Sequence, residues 1–175
     1  MFKLRSLIHS ILINLTLFSV CASAAEKEYM LKAGFLYNFA RFGSWEQPLN
    51  SFKEFTICSS DEHFIEVANG ALKNRTIKSL PLHNKLITFN ESSLKGCNLL
   101  FVTSNSFEKW QSAKITNLKN IMVIGESDLF IESGGHIRFF LSGGKIRFEI
   151  APKQLKEANI TMSSKVLRLA RVVQR

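Results

Sequence analysis

Residues 53–72, KEFTICSSDEHFIEVANGAL, decide the fold. Lys53 to Cys58 is a short run rich in apolar side chains, the pattern of a buried strand. Ser59 and Glu62 follow at capping-box spacing and start a helix that runs to about Leu72. The order strand-then-helix recurs downstream. Cys97 to Thr103 reads as a strand, Ser106 to about Ile115 as a polar helix, and Ile121 to Gly125 as a third buried strand. Between the first two units, Ile77 to Leu80 and Lys85 to Phe89 are short extended segments split by Pro81. Alternation of this kind predicts an α/β fold with a mostly parallel sheet and helices on both faces.

The pattern changes at Gly134. His136 to Leu141 and Lys145 to Ile150 alternate apolar and polar residues around Ser142-Gly143-Gly144, which predicts a C-terminal β-hairpin. Ile137, Phe139, Leu141, Ile146, Phe148 and Ile150 then face inward, leaving Arg138, Arg147 and Glu149 on the other face. Pro152 opens a helical segment to Ala158, and Ser163 begins a terminal helix through Val173. On that helix Val166, Leu169, Ala170 and Val173 form an apolar stripe opposite Lys165, Arg168, Arg171 and Arg175. At the other end of the chain, Tyr29 to Phe42 is a helix apolar nearly all round, so it must be covered by its own sheet or by a second subunit.

The first two dozen residues read as an export signal. Lys3 and Arg5 precede an apolar run from Leu7 to Val20, and Ala22-Ser23-Ala24 is a small-x-small cleavage site. The run is interrupted by Ser10, Asn14 and Thr16 and falls short of the roughly 20 residues that span a bilayer. Cleavage after Ala24 leaves residues 25–175 as a single domain outside the cytoplasm. Removal of Cys21 leaves Cys58 and Cys97, which in an oxidising compartment read as one disulfide. The formal charge of +9 falls to about +7 without Lys3 and Arg5. No helix-turn-helix, zinc finger or clustered basic run accompanies that surplus, and outside the cytoplasm its natural partners are acidic proteins, lipid head groups and small anions rather than nucleic acid.

No catalytic or cofactor motif is present. Gly134-Gly135 and Gly143-Gly144 lack the spacing that cradles a pyrophosphate, and His63, His83 and His136 show no metal-ligand spacing. Ser163-Ser164-Lys165 is better explained by a capping serine than by serine–lysine catalysis, and Asp61, Glu62 and Asp128 by helix capping than by paired acids. The expectation is a non-enzyme without cofactor or metal. Candidate contact residues for a protein partner are Arg41 with Trp45 after the first helix, Arg138 and Arg147 on the hairpin, and Arg168 and Arg171 on the terminal helix.

Three segments resemble the YfiR family of periplasmic proteins. They are Lys32 to Phe42 followed by Trp45, the hairpin entry Gly134-Gly135-His136-Ile137-Arg138-Phe139, and Ser163 to Val173. The resemblance implies a three-layer α/β/α sandwich of Rossmann-like kind that forms a homodimer. It also implies a regulator that binds and represses the periplasmic part of an inner-membrane diguanylate cyclase, lowering cyclic di-GMP and biofilm formation, and that an outer-membrane lipoprotein can sequester. The pair Cys58 and Cys97 resembles a bridge of characterised members, while a second bridge found in some relatives is missing. A periplasmic small-molecule sensor is the alternative.

Overall fold

The computed structural model describes residues 24–47, 49 and 52–174. Apart from Ala24, the expected export signal lies outside them. Helix α1 occupies residues 24–42 and β1 follows at Gly43–Trp45. The first βα unit is β2 (Phe55–Ser59) and α2 (Glu62–Ala71); β3 (Thr76–Ile77) and β4 (Leu80–Leu86) come next. Strand β5 (Leu99–Val102) leads through a 3-10 turn into α3 (Phe107–Ser112), then β6 (Met122–Gly125). The C-terminal part contains β7 (Ile137–Ser142), β8 (Lys145–Ile150), α4 (Pro152–Glu157), β9 (Ile160–Met162), α5 (Ser164–Leu167) and β10 (Arg171–Val172).

Eight strands form one sheet in the order β10-β8-β7-β6-β5-β2-β4-β3, and β1 pairs with β9 separately. The pairings β4–β2, β2–β5, β5–β6, β6–β7 and β8–β10 are parallel; the hairpin β7–β8 and the edge pair β3–β4 are antiparallel. The central strands are buried on both faces, so their side chains divide with period two. Phe55, Ile57, Leu99, Phe101, Met122 and Ile124 join α1, α2 and α4 in one core. Cys58, Leu100, Val102 and Val123 join α3's Trp110 and Phe130 in the other. The three layers are thus α/β/α, as the alternation of elements predicts.

Helix α1 is amphipathic rather than apolar all round. Ala33, Leu36, Phe39 and Ala40 are buried, while Met30 and Leu31 are exposed. Phe35 and Phe39 pack on Phe139 and Phe148 of the hairpin with ring centroids 4.9–5.9 Å apart. Phe130, fully buried, lies against two glycines: a β-carbon at Gly125 would come within 2.4 Å of its ring and one at Gly135 within 2.2 Å. That close approach gives a physical reason for Gly135 in the hairpin entry. Cys58 and Cys97 are disulfide-bonded within the second core.

Four local readings change. Asp61, not Ser59, caps α2, accepting a hydrogen bond from Phe64 N at 2.9 Å; Ser59 Oγ instead accepts from Asp61 N. Pro81 does not split two segments but lies within β4, where its missing donor is tolerated beside the two-residue edge strand β3. Leu141, expected inward, lies near the hairpin tip, paired with Ile146, and is 70% exposed. The terminal helix ends at Leu167, and Arg171 and Val172 form a strand instead. Valines and arginines at 171–173 suit either state, and pairing with β8, with Val173 N donating to Ile150 O, decides between them.

His136 ties β6 to the hairpin. Its backbone N–H donates to Val123 O, its carbonyl accepts from Ala151 N, and its Nδ1 accepts from Val123 N at 2.9 Å. Burial lowers its pKa from 6.5 to about 4. The unfolded chain therefore takes up this proton first, so stability is full above pH 6.5 and falls as pH drops toward 4. The loss should reach about 3 kcal/mol. Urea unfolding across this range checks it: His136→Asn, which keeps an acceptor but does not titrate, should flatten the slope, and an unchanged slope would contradict the assignment.

Candidate protein-binding edge

The site is built on the β7–β8 hairpin. Gly143 and Gly144 both adopt positive φ, 58° and 69°, as a two-residue type I′ turn requires, and this sets the register that places Arg138 opposite Glu149 and Phe140 opposite Arg147. All four residues share the face turned away from α1. Strand β10 adds on the far side of β8 with Arg171 opposite Glu149. Three neighbouring strands therefore present an arginine, a glutamate and an arginine in one row.

Glu149 is buried and uses both carboxylate oxygens. Oε1 accepts from Arg138 Nε at 2.5 Å, and Oε2 accepts from Arg171 Nε at 2.8 Å and from Arg171 Nη2. Burial pushes the carboxyl pKa up, but the hydrogen bonds and charges of the two arginines outweigh it and hold the group below its ordinary value. Arg138 Nη1 also donates to Asp128 at 2.5 Å. The Arg171 guanidinium lies 4.4 Å from the Phe140 ring centroid and that of Arg138 lies 5.6 Å away, so Phe140 is a cation–π platform for both.

Beside this row opens a cleft of about 440 Å³, bordered by Arg138, Phe140 and Arg171 on one side and by Lys32 and Glu126 on the other. Lys32 is buried and paired with Glu28 at 2.5 Å and with Glu126, which also accepts from Ser104 N at 2.8 Å. Outside the row the surface is basic and partly apolar. Lys145, Arg147, Lys165 and Arg168 are exposed, Leu141 and Leu169 are 70% and 73% exposed, and Glu149 is the only acid in 137–150 and 160–174.

Of the candidate contact residues, Arg138 and Arg147 lie on the hairpin and Arg171 on the strand that pairs with it, while Arg168 is the C-cap of α5, three residues earlier in the chain. Arg41 lies on the exposed face of α1, its guanidinium over the Tyr37 and Phe42 rings. Trp45 is not an exposed contact. It is buried, packs edge-on against Phe55, and donates Nε1–H to Asn120 O at 3.0 Å, as a core tryptophan does. Sequence reasoning missed Phe140, Lys32 and Glu126. Phe140 carried a signal, an aromatic on the outward face of the strand between Arg138 and Ser142, each two residues away; the Lys32–Glu126 pair, 94 residues apart, carried none.

The two arginines differ in exposure, their side chains being 13% (Arg138) and 57% (Arg171) accessible. Arg138→Ala should cost about 3 kcal/mol in urea unfolding, because it strips the buried carboxylate of its better-shielded partner, and Arg171→Ala about 1 kcal/mol. Equal losses would show that Glu149 does not discriminate between them.

The structure search finds distant likenesses. The ABC domain in complex with L-Trp from Streptococcus pneumoniae is 14% identical with a TM-score of 0.49, over 81% of this chain and 60% of that one. A conserved domain protein from Vibrio cholerae is 13% identical with a TM-score of 0.43, over 72% of this chain and 56% of that one. The chain thus spans less than two thirds of either. No curated protein matches the sequence. The YfiR/HmsC-like family model matches residues 29–171, from Tyr29 in α1 to Arg171 in β10. The chain belongs to the YfiR/HmsC-like family.

Proposed function

We propose that the protein is a periplasmic repressor that binds the periplasmic part of an inner-membrane diguanylate cyclase through the hairpin and its C-terminal edge. Family membership supports a periplasmic regulator of cyclic di-GMP signalling in general. No helix among the described residues is long and apolar enough to cross a membrane, and no group of metal-binding side chains is found among them.

The observation that carries the reading is the Glu149 row. It ties a basic, partly apolar sheet edge to the hairpin through a buried carboxylate, and an edge of that composition suits an acidic protein surface. Repression is a matter of differential affinity. Moving a cyclase from 1:99 to 99:1 in favour of its inactive state requires binding that state about 10⁴-fold more tightly, about 5.5 kcal/mol. Homodimerisation and capture by an outer-membrane lipoprotein belong to the same proposal, each needing a further surface.

Deletion of the gene should raise cellular cyclic di-GMP and biofilm. Arg147→Glu with Arg168→Glu, both exposed and outside the buried row, should fail to restore the low level while the protein accumulates normally. Unchanged cyclic di-GMP on deletion would overturn repression, and full complementation by the double variant would overturn the edge as the contact.

A further inference from the structure

A second crevice lies on the same rim of the sheet, away from the Glu149 row. Strands β2 and β5 are parallel neighbours, but the chain leaves them toward opposite faces: α2 packs in the core with α1, and α3's Trp110 packs in the other core. Where adjacent strands part in this way the connections leave an open space at the strand ends, the usual ligand position in open α/β sheets. Here that space is about 480 Å³ and is bordered by the segments after β2, β4 and β5.

We infer that this crevice binds a neutral polyhydroxylated small molecule of mono- or disaccharide size. Ser60 Oγ, on its wall, is buried and has no hydrogen-bond partner among the described residues, although a buried hydroxyl ordinarily has one. Glu62, Asn105 and Lys109 line the mouth, and none of their side chains is engaged in a hydrogen bond or ion pair among the described residues. Together they offer donors and acceptors in close alternation, and the sugar hydroxyl is the group that is both.

Charge narrows the class further. Asp61 and Glu62 oppose an anion and Lys109 opposes a cation, so a neutral ligand meets no uncompensated repulsion. Phe89, half-buried on the β4 side, supplies an aromatic wall for the C–H face of a pyranose. A fixed connection leads from this crevice to the first helix, where Tyr29 OH donates to Asp61 Oδ2 at 2.8 Å.

This inference is independent of the regulatory reading and is tested on the purified protein alone. Titration with D-glucose, D-galactose, N-acetyl-D-glucosamine and maltose, followed by calorimetry and by amide NMR, should give saturable binding of at least one sugar, with shifts at Ser60, Thr88 and Asn105. Phe89→Ala and Asn105→Ala each alter a side chain that is not fully buried and should weaken that binding about tenfold or more without changing the melting curve. Glycine and inorganic phosphate serve as the zwitterionic and anionic probes. Saturable binding of either with none of any sugar would overturn the class. Absence of sugar binding up to about 10 mM, or binding unaltered by both variants, would overturn the site.

Discussion

One carboxylate organises the C-terminal third of this protein. Glu149 lies on β8 between two strands that each bring it an arginine, and burial makes the arrangement consequential. A lone buried carboxylate would have to take up a proton; with two guanidinium groups on its two oxygens it stays ionised, and it fastens both neighbours. Strand β10 needs that fastening. It is two residues long and lies at the sheet edge; its ties to β8 include one backbone hydrogen bond, from Val173 N to Ile150 O. The same contact positions Arg171 over Phe140, so the fold of this region and the character of the edge proposed for binding rest on one side chain.

The chain states its architecture through period and punctuation. The near-continuous apolar runs Phe55 to Cys58, Leu99 to Val102 and Met122 to Ile124 point to strands buried on both faces, and a hairpin turn of two glycines sets which residues oppose one another. From that register alone Arg138 and Glu149 can be paired. Arg171 cannot, because residues 163–173 have helical spacing of apolar and basic groups and little in them resists extension. Tertiary pairing with β8 overrides that local preference after Leu167. Trp45 illustrates the reverse limit. Its neighbour Arg41 suggests an exposed contact, but burial depends on Phe55 and Asn120, and only the fold brings these to it.

The two clefts share the rim formed by the C-terminal ends of the parallel strands, and α1 reaches both. Lys32 pairs with Glu126 beside the first and Tyr29 donates to Asp61 beside the second. Burial and the Asp61 hydrogen bond both raise the Tyr29 pKa, so it remains a donor at any physiological pH. In the proposed function, a regulator of a cytoplasmic messenger from outside the inner membrane acts through a membrane-spanning partner, and the hairpin edge is the surface assigned to meet it. Side-chain ion pairs rather than a long terminal helix tie that edge to the hairpin.

Glu149 holds β10 in place, and amide hydrogen exchange in Glu149→Gln tests that directly. Val173 N–H, which donates to Ile150 O, should exchange much faster in the variant, together with the amides of Arg171 and Val172, while Phe139 and Phe148 in the hairpin core keep their wild-type protection. Protection at Val173 equal to that of the wild-type protein would show that the C-terminal edge holds without the carboxylate, and would contradict the account.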